Sequence, residues 1–169
     1  MTRPGFWIVA TEFVVQNDML KVGDPAPEFQ LTANNWSRKS LADYGDKVKI
    51  ISVVPSLDTN VCAAQTRRFN EEAARLDESV VILTISADLP YAQYRWCAAE
   101  GIDQVETLSD HRDMNFSDAY GVHVIPVRIT QRALFVLDRD NVVRYAEYVP
   151  VIDDEVHFDA ALATARALI

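Results

Sequence analysis

One pattern constrains the fold of this chain more than any other. A nearly continuous apolar, β-branched run, Val48-Lys49-Ile50-Ile51-Ser52-Val53-Val54, is followed by a helical stretch. A second such run, Val80-Val81-Ile82-Leu83-Thr84-Ile85, comes next. Neither run alternates apolar with polar residues, as a strand with one face in water would, so each suits a strand covered on both faces. Between them, Phe69, Ala73 and Leu76 fall at i, i+4 and i+7 within Asn60–Leu76, which is one apolar stripe of a helix. Strand, helix and strand in that order imply parallel strands joined by a crossover.

The alternation continues along the chain. Pro90–Glu100 reads as a helix with Pro90 in its first turn and Gly101 as its cap. Gln104–Leu108 is a short strand, and Asp113–Tyr120 a short helix stopped by Gly121. Arg132–Leu137 and Val142–Val149 are strands joined as a hairpin through Asp138-Arg139-Asp140-Asn141. A last helix is expected from about Asp153 to Leu168, buried along Phe158, Ala161, Leu162, Ala165 and Leu168. Asp153, Asp154 and Glu155 would stand at its start and Arg166 near its end, as the helix dipole favours. Upstream, residues 6–15 read as one strand, or as a hairpin turning near Ala10–Glu12. Phe29–Thr32 is a short strand, and Asn34–Gly45 a loop with one helical turn around Leu41-Ala42-Asp43-Tyr44. On the first long helix, Arg67–Glu71 and Arg68–Glu72 are spaced to pair at i,i+4. The predicted fold is α/β and thioredoxin-like: a mixed central sheet flanked on both faces by helices. It forms one domain over 1–169 with an N-terminal β extension over 1–19.

Charge narrows the function. Sixteen Lys and Arg stand against twenty-five Asp and Glu, a net charge of −9. With no basic run, nucleic acid is not an expected partner, and an anionic membrane surface would repel the chain. No run has transmembrane length, and residues 1–12 do not read as a signal peptide. A cytoplasmic location is expected. The two cysteines, Cys62 and Cys97, form no Cys-x-x-Cys, and His111, His123 and His157 lie at no zinc-ligand spacing from them. Neither a metal nor a cofactor is expected.

The chemistry concentrates where the first apolar strand meets its helix, at Pro55-Ser56-Leu57-Asp58-Thr59-Asn60-Val61-Cys62. This spacing puts Cys62 in the first turn of the helix, where free N–H groups and the dipole favour a thiolate. The thiolate is the nucleophilic form of cysteine. Pro55 rigidifies the turn. Asp58 or Thr59 can cap the helix, and the Thr59 hydroxyl can reach the sulfur or a bound substrate oxygen. On position alone, Cys62 can equally be a small buried hydrophobe.

The set Pro55, Thr59 and Cys62 resembles the Pro-x-x-x-Thr-x-x-Cys active-site pattern of peroxiredoxins. The longer string through Arg67-Arg68-Phe69-Asn70-Glu71-Glu72-Ala73 is similar to the bacterial thiol peroxidase subfamily of atypical 2-Cys peroxiredoxins. Four further stretches agree: Ile85–Gln93, Cys97–Gly101, Ala119–Val122 and Arg132–Asp138. The resemblance covers roughly residues 20 to 168. It implies a thiol-dependent peroxidase with antioxidant function, reducing hydrogen peroxide and organic hydroperoxides. Cys62 would attack the peroxide and become a sulfenic acid. Cys97 would resolve it as an intramolecular disulfide, and thioredoxin or a similar dithiol protein would restore both thiols. It also assigns Arg132 to the strand carrying the family's active-site arginine, where a guanidinium would stabilise the thiolate. A homodimer is implied as well.

Plainer readings exist for the same residues. Cys97 alone reads as a buried helix residue, and Arg132 alone as a surface one, with Arg128 and Arg139 as competitors. Consecutive helices of a βαβα unit can lie on opposite sheet faces. Two cysteines at intact helical positions on such helices would need local unfolding to meet the ~7 Å Cα limit of a disulfide. Asp88, His111 and His157 sit near element ends and need no catalytic role. Tyr91, Tyr94 and Trp96 read mainly as core or rim packing. A thiol–disulfide oxidoreductase is disfavoured by the missing Cys-x-x-Cys, and a non-enzymatic redox sensor by the Pro55/Thr59/Cys62 set.

Overall fold

The two apolar runs lie side by side and parallel at the centre of the sheet, with Val48 opposite Val80 and Val53 opposite Ile85. A computed structural model describes residues 1–169. In chain order the elements are β1 (Thr2–Ile8), β2 (Thr11–Gln16), β3 (Leu31–Ala33), β4 (Arg38–Lys39), β5 (Val48–Val53), α1 (Asn60–Ala73), β6 (Val80–Ser86) and α2 (Pro90–Glu100). They continue with β7 (Glu106–Ser109), α3 (Asn115–Ala119), β8 (His123–Val124), β9 (Ile129–Thr130), β10 (Ala133–Leu137), β11 (Val143–Tyr148) and α4 (Phe158–Arg166). A single 3-10 turn spans Leu41–Tyr44 and is closed by Gly45.

The main sheet runs β11-β10-β5-β6-β7-β3-β4. Only the β5–β6 and β6–β7 pairings are parallel; every other neighbouring pair is antiparallel, so the sheet is mixed as expected for a thioredoxin-like α/β fold. Alternate residues of each strand feed two cores. Ile51, Val53, Leu83, Ile85, Leu108 and Phe135 meet Phe116 of α3 on one face. Val48, Ile50, Ile82, Leu134 and Val136 meet Phe69 of α1 and Ala161 and Leu162 of α4 on the other. Lys49 lies within the apolar run yet is fully buried. Its Nζ reaches the end of the sheet, donating to the Gly45 carbonyl at 2.8 Å and Asn141 Oδ1 at 2.7 Å.

The chain steps from β5 to β6 to β7 in one direction, and right-handed crossovers then place α1 and α2 on the same face. This excludes the alternative that the two cysteine helices lie on opposite faces. Arg67 of α1 pairs with Glu100 of α2 at 2.9 Å, and Asn70 accepts from the Asp103 and Gln104 backbone just beyond α2. The i,i+4 pairs expected on α1 do not form. Arg68 instead reaches Asp159 at 2.9 Å, and Glu72 meets Arg75 and Arg166.

Three further differences have tertiary causes. Strand β3 begins two residues later than expected because Thr32 and Ala33 pair with Ser109 and Leu108. Helix α4 begins at Phe158, leaving Asp153, Asp154 and Glu155 exposed ahead of it. The segment before it is committed elsewhere: Trp7 N–H donates to the Pro150 carbonyl and Ile152 N–H to the Trp7 carbonyl. Residues 2–16 are a hairpin, and it does not stand alone. It joins β8 and β9 in a second sheet, β1-β2-β8-β9, around Phe6, Val15 and Val124.

Gly121 lies where that second sheet meets the main core. Its φ is +66°, and a Cβ there would lie 2.2 Å from the Asp18 carbonyl oxygen. Gly121→Ala combines left-handed strain with a backbone clash, so a loss of about 2 kcal/mol or more is expected in urea unfolding. An unchanged midpoint would show that the Asp18 loop yields freely.

Candidate active site

The site is built where β5 hands over to α1. Val54 and Pro55 are buried, and the chain turns through residues 55–59. Thr59 donates to the Ser56 carbonyl twice, from its N–H at 3.2 Å and its hydroxyl at 3.1 Å. Thr59 occupies the N-cap with extended backbone, but its side chain makes no cap bond to the helix; the hydroxyl is turned back onto Ser56. Asp58 does not cap either. It is exposed and lies 3.8 Å from Arg95.

Cys62 is the third residue of α1, and its sulfur is fully buried. Arg132 Nη2 donates to Cys62 Sγ at 3.3 Å and to the Ile152 carbonyl at 2.8 Å. Arg132 Nη1 donates to Gln65 Oε1 at 2.8 Å, and Gln65 Nε2 in turn donates to Ser52 Oγ at 2.8 Å. Arg132 is itself wholly buried, not a surface residue. No carboxylate pairs with this guanidinium, and its Nε has no partner. A buried cation without a carboxylate is costly. The sulfur is the one group it touches that can carry a negative charge. The competing arginines are elsewhere: Arg128 donates to the His111 and Arg112 carbonyls, and Arg139 is exposed.

Cys97 lies in α2 and shares a buried cluster with Val54, Leu57, Cys62, Ala63 and Trp96. Both cysteines are free thiols. Cys97 Sγ is 3.6 Å from Thr107 Oγ1, which also reaches Asn34 Oδ1 at 3.1 Å. A groove of about 500 Å³ runs past it, lined by Asn34, Ile102, Gln104, Glu106 and Thr107 among others. Burial pushes the Cys97 thiol up, against a smaller opposing pull from Thr107 and Asn34. Cys97 is therefore expected to stay protonated at neutral pH, with alkylation by iodoacetamide in a Cys62→Ser variant still accelerating above the ordinary thiol range near 8.5. A plateau at or below that range would contradict this.

Asp88 is a residue that sequence reasoning passed over. Its carboxylate accepts from the Ser56 hydroxyl, the Leu57 N–H and the Ser86 hydroxyl. No single-sequence signal marks it, because two of its three donors are more than thirty positions away. The histidines serve other ends: His157 contacts Glu147, and His123 contacts Asp118. No group of three metal-ligating side chains comes together. Trp96 is core, whereas Tyr91 and Tyr94 are exposed, Tyr91 lying edge-on to Trp36 at 5.0 Å. No helix is long and apolar enough to cross a membrane.

The chain is similar to known proteins along most of its length. The redoxin family profile matches residues 21–162. The chain is 55% identical over 150 residues to a thiol peroxidase of Bacillus subtilis, covering 89% of each chain. It is 52% identical over 152 residues to a thiol peroxidase of Staphylococcus aureus, covering 90% of this chain and 92% of that one. Its fold superposes on a peroxiredoxin-like protein from Aquifex aeolicus with a TM-score of 0.90 and 33% identity, covering 99% of both chains.

Proposed function

Because the chain belongs to the redoxin family, and within it to the thiol peroxidases, we propose that it reduces hydrogen peroxide and organic hydroperoxides through Cys62. The observation that carries the reading is the Arg132 guanidinium 3.3 Å from the Cys62 sulfur, buried and free of any carboxylate. A thiolate held there has a fixed counter-charge and few competing partners. It attacks the terminal peroxide oxygen, the O–O bond breaks, and Cys62 becomes a sulfenic acid. The departing oxygen takes a proton and leaves as water or an alcohol. Arg132 spreads the developing charge. Thr59, whose hydroxyl proton is engaged by Ser56, keeps its lone pairs for the peroxide O–H. Pro55 keeps the turn rigid, and no metal or cofactor takes part.

Cys97 then condenses with the sulfenic acid: an S–S bond forms, and its proton leaves with the hydroxyl as water. Cys62 Sγ is held by Arg132 and Cys97 Sγ by Thr107, so the first turn of α1 opens for the sulfurs to meet. A dithiol protein of the thioredoxin type reduces the bridge by exchange. The reading assigns the whole of 1–169 to one domain that works as a cytoplasmic homodimer.

The test is direct. Reduced protein is mixed with one equivalent of hydrogen peroxide, quenched with an alkylating reagent at millisecond to second times, and mapped by intact mass and peptides. Rapid loss of both thiols into a Cys62–Cys97 bridge is expected. Survival of both thiols for minutes would sink the peroxidase reading. Oxidation of Cys62 alone would remove Cys97 from the mechanism.

A further inference from the structure

Asp88 lies between β6 and α2, beside the turn that leaves the neighbouring strand β5 for α1. Its Oδ1 accepts from Ser56 Oγ at 2.7 Å. Its Oδ2 accepts from Leu57 N–H at 2.9 Å and from Ser86 Oγ at 2.7 Å. No lysine or arginine pairs with it. Hydrogen bonds to a carboxylate are the stronger class, so three on one side chain hold firmly.

Asp88 is anchored from two sides. Ser109 on β7 donates to its carbonyl. Ser86 ends β6 and also receives Gln93 Nε2, at 3.0 Å, from the buried face of α2. What Asp88 holds in turn is the segment ahead of Cys62. Ser56 is both its partner and the acceptor for the Thr59 N–H and hydroxyl. A continuous set of contacts therefore runs from the base of the Cys97 helix through Asp88 and Ser56 to the first turn of the Cys62 helix.

We propose that Asp88 is a positioning residue that clamps the 55–59 turn, aligning it for peroxide attack and restraining the release of the first turn of α1 toward Cys97. The inference rests on the disulfide route proposed above. Its signature is a pair of opposed effects. Loosening the clamp misaligns Thr59 relative to Cys62 and slows attack. The same change frees the first turn and speeds resolution. A residue that merely supports the fold would slow both steps or neither.

The experiment uses the full chain with Asp88→Asn, which keeps the side chain's size but turns an NH2 group toward donors. Tryptophan fluorescence in stopped flow separates a peroxide-dependent attack phase from a peroxide-independent resolution phase; Trp96 lies in the cluster of both cysteines. Attack is expected to slow about 10-fold or more, on the scale of small misplacements in active sites, while resolution accelerates several-fold. At excess peroxide, the fraction of Cys62 reaching sulfinic acid falls in the mass spectrum. Ser56→Ala removes one of the three bonds and is expected to shift both phases the same way by less; it decides the matter where Asp88→Asn does not fold. In the double variant the effects are expected to be less than additive, because both changes cut one contact. A wild-type protein that forms no Cys62–Cys97 bridge overturns the disulfide route and the clamp together. A wild-type bridge with resolution no faster in either variant overturns the clamp alone.

Discussion

Arg132→Met is expected to lower the rate of Cys62 oxidation by hydrogen peroxide about 10²- to 10³-fold, the range for removing one preorganised donor from an oxyanion site. The guanidinium contacts Cys62 Sγ, Gln65 Oε1 and the Ile152 carbonyl from one rigid plane. Methionine fills similar volume but donates to none of them. The fold is expected to survive, because exchanging a buried ion for an apolar side chain of like size is often near neutral. The two abandoned acceptors cost about 1–3 kcal/mol each, and relief of the buried charge offsets part of that cost. Arg132→Lys keeps the charge but loses the planar fork, so it should fall between wild type and methionine. Rates come from stopped-flow peroxide reaction and stability from urea unfolding. Arg132→Met with wild-type peroxide kinetics would falsify the assignment of this arginine.

Cys97→Ser is expected to leave the first peroxide reaction intact and to abolish sustained turnover with a dithiol protein as reductant. The serine hydroxyl cannot form the second sulfur bond, so the Cys62 sulfenic acid persists and further peroxide carries it to sulfinic acid. Loss of the buried sulfur contact to Thr107 should cost little stability, since serine keeps the size and a hydrogen-bonding group. The readouts are reductant-coupled peroxide consumption and intact mass after successive equivalents of peroxide. Wild-type turnover in this variant would remove Cys97 from the cycle.

Much of this architecture was legible from local chemistry. The runs at 48–54 and 80–85 became β5 and β6 because continuous β-branched apolar residues satisfy a strand buried on both faces. Pro90 and Gly101 bounded α2 as read; Gly101 adopts the left-handed cap, with φ +65°. The turn holding Pro55, Thr59 and Cys62 was legible as a motif. Strands β8 and β9 were not, because two residues each carry no periodicity; they pair with each other, and β8 docks on β2 of the N-terminal hairpin. The early start expected for α4 failed because residues 150–152 are tied to Trp7, a partner far away in sequence. Arg132 was legible only by resemblance; its own chemistry argues for the surface, and its burial depends on two other segments, α1 with Cys62 and Gln65 and the stretch before α4 with Ile152.

Alone, the sequence determined the types of the longer elements, the mixed α/β class and the position of a cysteine in the first turn of a helix. All of these follow from residue propensities and spacing within a few turns of chain. Tertiary structure decided which face each helix took, because the direction of strand steps sets that under right-handed crossovers. It also decided that the guanidinium beside Cys62 has no carboxylate and that Asp88 holds the turn ahead of Cys62. Both depend on bringing together groups that no local periodicity links.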